Sequence, residues 1–195
     1  TSITYTQVSC FGGSDGTSTV TAIGGAGNYT YNWNPTGQTT QTASGLSIGT
    51  YTVIVTDMNG CFTIDSIMID EPAPITTIFT NVVGSSCNGG SDGTATVAAS
   101  GGVPSGTNNY TYIWNTVPQQ TGATAIGLNG GQTYTVVVTD ANGCTTNNSV
   151  MIPQPDAITL TTTQANVSCF GFTDAQATVI PAGGTPGFTF QWDAN

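Results

Sequence analysis

The chain has 195 residues with no lysine, arginine or histidine and a net charge of −10. Only 5% of its residues are charged, against about a quarter in an average chain. Without cations it has little to grip a phosphate backbone or an anionic bilayer, so nucleic acid is close to excluded as a partner and binding to anionic membrane surfaces is disfavoured; no direct membrane insertion is expected. The usual general base and the commonest metal ligand are missing, and a trypsin-like protease finds no residue to cut after. Thr, Ser, Asn, Gln and Gly take the place of charge, the composition of threonine-covered sheets rather than of disorder. No apolar run approaches the roughly 20 residues of a membrane span. No secretory signal is visible, and the sequence starts and stops inside patterned stretches, so it reads as a piece of a longer protein.

Taken in order, the first predicted strand ends at Cys10, which opens the turn CFGGSDGTSTV (Cys10–Val20). The strand after it places Val20 and Ala22 on one face. A third strand, YTYNW (Tyr29–Trp33), puts Tyr29, Tyr31 and Trp33 on one face. In Thr50–Asp57, Tyr51, Val53 and Val55 alternate with Thr50, Thr52, Ile54 and Thr56, the period of a half-buried strand. TDMNGC (Thr56–Cys61) follows. Asn-Gly supplies the positive φ of a tight hairpin, and Asp bonds back onto the turn. Cys61 opens the last strand, and DEPAPI (Asp70–Ile75) reads as a short, proline-stiffened linker.

The pattern then returns. CNGGSDGTATV (Cys87–Val97), YTYIW (Tyr110–Trp114) and QTYTVVVTDANGC (Gln132–Cys144) form a second copy, with a longer loop at Gly101–Asn109. After a second linker, PQPDAI (Pro153–Ile158), come CFGFTDAQATV (Cys169–Val179) and FTFQW (Phe188–Trp192). The first-turn cysteine recurs after 77 residues (Cys10 to Cys87) and again after 82 (Cys87 to Cys169). Units of this length can each hold a core. The predicted domains are β-sandwich repeats at 1–72 and 73–155 and the first half of a third at 156–195. The fold class is all-β: tandem immunoglobulin-like antiparallel β-sandwiches, with about seven strands per repeat, the tryptophan on the third and a tyrosine opening the penultimate one.

The two cysteines of each complete repeat suggest internal bridges, Cys10 with Cys61 and Cys87 with Cys144. Each would close a loop of roughly 50 residues and stabilise its repeat by about 4 kcal/mol in the chain-entropy model. The partner of Cys169 is expected beyond residue 195. Structural disulfides point to an oxidising, extracellular setting.

The run C-[FN]-G-G-S-D-G-T-x-T-V, then Y-T-Y-x-W, then T-Y-T-V-x-V-T-D-x-N-G-C resembles the SprB repeat. It covers copies one and two and the first half of copy three, where GFTDAQ replaces GGSDGT, so a different first turn is expected there. The resemblance implies very large cell-surface adhesins of gliding Bacteroidetes, exported by the type IX secretion system. It implies contact with a surface polysaccharide or substratum, and with the gliding or secretion machinery through other parts of the parent. It implies no catalytic site and no cofactor.

Candidate sites are few. Asp57 with Asn59, and Asp140 with Asn142, are candidate calcium ligands, with Asp15 or Asp92 as further donors. Calcium wants six to eight oxygens, and turn capping accounts for the same residues. Tyr29, Tyr31 and Trp33 would make a sugar-stacking platform or, as their alternation favours, part of the core. A ligand site is better placed on the variable Gly101–Asn109 loop. Ser66, in Asp65–Ile67, resembles an O-glycosylation signal of Bacteroidetes. The Asn-x-Ser/Thr triplets at Asn28, Asn109, Asn147 and Asn166 matter only in a eukaryotic secretory host. Serine and threonine have no His or Lys to activate them. The carboxylates sit mostly in turns and at the linkers and form no single pocket, as a glycosidase would need. The sequence therefore favours an adhesive stalk over its rivals, a glycan-binding module and a subunit of a secreted filament.

Overall fold

The computed structural model describes residues 1–103 and 110–193; most of the Gly101–Asn109 loop proposed for ligand binding, with Asn109, lies outside them. The described residues form strands and no helix, and no helix is long and apolar enough to cross a membrane. The chain divides into two compact units. One is Thr1–Thr77 with Ala99–Thr111 and Val138–Thr146; the other is Ile78–Ala98 with Tyr112–Val137 and Asn147–Asn195.

The first repeat has six strands among the described residues rather than about seven: β1 (Ser2–Thr6), β2 (Gly16–Thr21), β3 (Thr30–Asn34), β4 (Thr42–Leu46), β5 (Gly49–Thr56) and β6 (Phe62–Ile69). They pair antiparallel in two sheets, β1-β2-β4 and β3-β5-β6. The second repeat has six again: β7 (Thr76–Val83), β8 (Gly93–Ser100), β9 (Thr111–Trp114), β10 (Thr124–Leu128), β11 (Thr133–Thr139) and β12 (Thr145–Met151). Its sheets are β10-β8-β7 and β12-β11-β9. In the third, β13 (Thr159–Ala165) pairs with β14 (Gln176–Ala182).

Alternation chooses the core. Tyr51, Val53 and Val55 of β5 are buried together with Trp33, Ile69, Val20, Ala43 and Leu46. Tyr29 and Tyr31 are half-buried against the same cluster. The tryptophan lies on the third strand, and its indole N–H donates to the Thr40 carbonyl at 3.0 Å. Its counterpart Trp114 donates to the Gly122 carbonyl at 2.8 Å. Tyr51, on the penultimate strand, donates its hydroxyl to the Ser47 carbonyl at 3.0 Å. The short strands β4 and β10 each carry a shift of register, at Gly16/Thr17 and at Ile126/Leu128. Gly45 (φ 69°) and Gly127 (φ 65°) lie at these shifts. Glycine adopts that left-handed geometry without steric cost, as a bulge requires.

One core position departs from good packing. Ser18 is fully buried and its Oγ has no hydrogen-bond partner, and a buried, unpaired hydroxyl costs about 1–3 kcal/mol. The second repeat places Ala95 at the same point of the pattern, also fully buried. Ser18→Ala should therefore stabilise the first repeat by about 1 kcal/mol in urea denaturation. A loss of stability would show that the hydroxyl is satisfied in solution.

Candidate functional site

The residues that recur most strictly between copies gather at the two ends of each sandwich. One end is the first turn. Ser9 N–H donates to Asp15 Oδ1 at 2.9 Å, and the Ser9 hydroxyl also donates to Asp15. The same amide bond links Ser86 to Asp92 at 3.0 Å and Ser168 to Asp174 at 3.1 Å. The serine hydroxyl, followed by its amide, holds the carboxyls of Asp15, Asp92 and Asp174 below the usual carboxylate range. GFTDAQ thus keeps the turn that GGSDGT makes, because the serine and the aspartate are retained.

The other end is the TDxNGC hairpin. Asp57 Oδ1 accepts from the Asn59 and Cys61 amides, both at 2.9 Å, and Oδ2 accepts from Ala26 N–H at 2.9 Å. These backbone donors, Ala26 first, lower the Asp57 pKa. Asp140 repeats the arrangement: Oδ1 accepts from Asn142 and Cys144, and Oδ2 from Val103. Both oxygens of each carboxylate are therefore engaged by N–H groups, which face them as a cation would. Among the described residues, no group of three or more His, Cys, Asp or Glu comes together. In both hairpins the aspartate carboxylate caps the turn backbone.

The cysteine pairing differs from the sequence expectation. Cys10 is bonded to Cys144, with Cα atoms 5.7 Å apart. Cys61 and Cys87 are exposed thiols, as is Cys169. The reason is strand length. Cys10 lies at the end of the sandwich where β6 finishes, since Val8 N–H donates to the Asp70 carbonyl at 3.0 Å and Gly12 N–H to Glu71 Oε2 at 2.6 Å. Cys61 precedes the start of β6, eight residues back along the strand. At about 3.4 Å per residue the two are some 27 Å apart, whereas a disulfide needs Cα atoms within about 7 Å. Cys87 and Cys144 are separated in the same way by β12. Cys144 instead meets Cys10, and Asn142 Nδ2 donates to the Ser9 carbonyl at 2.9 Å beside the bond. The bond joins two consecutive repeats, and its two cysteines lie in one compact unit.

The SprB repeat model matches residues 2–39, 78–119 and 161–195, more than half of the chain. The chain belongs to the SprB repeat family. No curated protein matches it. Among solved structures, the SprB repeats resemble three N-terminal domains of the bacteriophage RB49 highly immunogenic outer capsid protein. The TM-score is 0.50 at 16% identity, over 95% of this chain and 70% of that one. Two further likenesses are Dpr11 IG1 bound to DIP-gamma IG+IG2 (TM-score 0.31, 12% identity, 79% of this chain and 99% of that one) and an amphioxus IgVJ-C2 molecule (0.28, 14%, 78% and 96%). The SprB repeats are thus all-β, antiparallel sandwiches in tandem.

The remaining candidate is Ser66. It is exposed on β6, an outer strand of its sheet, opposite Thr52, and its amide donates to Asp65 Oδ1 at 2.9 Å. Its hydroxyl is open to modification and equally to plain solvent contact. The inter-repeat cysteine contact was not found from sequence.

Proposed function

We propose that this chain is a stretch of a very large extracellular adhesin and serves it as a disulfide-braced stalk in surface adhesion and gliding motility. The observation that carries the reading is the Cys10–Cys144 bond, which ties one SprB repeat to the next. A stalk under drag needs its beads joined by more than a linker. The neutral, cation-free composition suits an exposed surface with proteases present, and the family implies secretion and a cell-surface location. The repeats work by folding and bearing load, without catalysis. Contact with polysaccharide or substratum, and with the gliding or secretion machinery, falls to other parts of the parent or to loops. Antibody raised against the chain should label intact, unpermeabilised cells of the organism that encodes it. Labelling only after permeabilisation would overturn the surface reading.

A second reading, a glycan-binding module, has one observation in its favour. A shallow polar hollow in the second unit is lined by Asn115, Asn129, Gln132, Thr133 and Tyr134, the amide, hydroxyl and ring chemistry that sugars use. Two of these groups are engaged internally: Asn115 Oδ1 accepts from Thr135 N–H at 2.8 Å, and Tyr134 Oη accepts from Asn129 N–H at 2.9 Å. A glycan array separates the readings. The stalk should retain nothing, whereas saturable binding lost in Gln132→Ala would favour the module.

A further inference from the structure

The surroundings of the Cys10–Cys144 bond recur at Cys87, with one part missing. At the first joint, a hollow is lined by Cys10, Phe11, the linker Pro72–Ile75, Gly102 and the hairpin residues Asp140 and Gly143–Thr146. At the second joint, a hollow is lined by Cys87, Asn88, the linker Pro155–Ile158, Gly184 and Thr185. The match holds bond by bond. Gly12 N–H donates to Glu71 Oε2, and Gly89 N–H to Gln154 Oε1 at 2.8 Å. Val8 N–H donates to the Asp70 carbonyl, and Ser85 N–H to the Pro153 carbonyl at 2.9 Å. Gly102 N–H donates to the Ala73 carbonyl and Gly184 N–H to the Asp156 carbonyl, each at 2.8 Å. A Cβ on Gly101 would run into the Pro74 carbonyl, and one on Gly183 into the Ala157 carbonyl. At the first joint the hairpin carrying Cys144 forms one wall of the hollow. At the second no hairpin is present, because the sequence holds only two TDxNGC segments.

We infer that Cys87 takes the hairpin cysteine of a third complete SprB repeat, so that the bonds form a series in which each first-turn cysteine is tied to the next repeat's hairpin. Cys61 is the complementary half. Its hairpin is built by the same aspartate–cysteine amide bond as that of Cys144, so it would take the first-turn cysteine of any SprB repeat placed on its N-terminal side. Both thiols are exposed and available. Closure is a two-electron oxidation by a disulfide donor, protein or small molecule. The Cys87 thiolate attacks one donor sulfur and expels the other as a thiol. The hairpin thiolate then attacks Cys87 in the mixed disulfide and expels the second thiol. Two protons leave the cysteines, and the donor ends as two thiols. This assignment does not depend on the adhesin reading.

The test duplicates the second repeat within the full chain, joining residues 1–155 to residues 73–195. Refolded in a glutathione redox buffer and alkylated without reductant, the natural chain should take label at Cys61, Cys87 and Cys169 only. The duplicated chain carries two more cysteines and should still take three labels. Its non-reduced peptide map should show the first Cys87 joined to the inserted copy's hairpin cysteine. Replacing that cysteine with serine should return label to the first Cys87 and leave Cys10–Cys144 closed, which also reports that the fold is intact. Five labels with Cys10–Cys144 closed, or a bridge between the two cysteines of one repeat, would overturn the assignment.

Discussion

Pulled from its two ends, the chain should yield roughly 450 Å more length after reduction than before it. The Cys10–Cys144 bond spans 134 residues of sequence, and an extended residue covers about 3.3–3.6 Å. While the bond is closed, force passes from Cys10 through the sulfurs to Cys144, and nothing between them extends even if both sandwiches lose their folds. Only the first few residues and the part after Cys144 pay out. In the chain-entropy model so long a span also stabilises the oxidised fold by about 5 kcal/mol. Single-molecule stretching of oxidised and reduced protein measures the difference directly. Bridges inside each repeat would instead release about 170 Å per repeat, and equal lengths in both states would mean that no bond carries load.

Trp33→Ala should cost the first repeat about 3–5 kcal/mol, the range for truncating a buried aromatic. Trp33 is fully buried between the two sheets, and its loss also leaves the Thr40 carbonyl without its indole donor. Against a typical total of about 5–15 kcal/mol, that is enough to lower the urea midpoint by roughly 2–3 M for an m of about 1.5 kcal/mol/M. Hydrogen exchange at Val53 and Val55 localises the effect, because β3 pairs with β5 there. Trp114→Ala should do the same to the second repeat, where Trp114 also packs on Phe79 with ring centroids 6.1 Å apart. An unchanged midpoint in either variant would return these aromatics to the role of a surface platform.

The sandwich was legible because its signals are local and repeated. Tyr51, Val53 and Val55 alternate with threonines, and the structure buries that face. The aromatic triplet ending in Trp33 reads as core for the same reason. The hairpins were legible from Asp-x-Asn-Gly, whose aspartates cap the turn at both Asp57 and Asp140. The strand count was less so: the residues between β3 and β4 form a loop, Gln38 bonding across to Ser44 through both its amide groups. The cysteine pairing was hidden for another reason. Spacing along a chain does not report distance in space, and Cys10 and Cys61, paired by their recurrence in the sequence, sit at opposite ends of the eight-residue β6. Cys10 and Cys144, 134 positions apart, become neighbours only through repeat-to-repeat placement, which no single repeat encodes.

The same bond changes what the chain is topologically. Between Cys10 and Cys144 it is a closed ring of backbone and sulfur, with two tails. One peptide bond broken anywhere in that ring opens it and leaves every residue attached, whereas the same break in a linear stalk would release everything beyond it. A protease must cut twice within the ring before a piece escapes, and the absence of lysine and arginine has already denied the commonest proteases their first cut. Damage to the backbone here is survivable by construction.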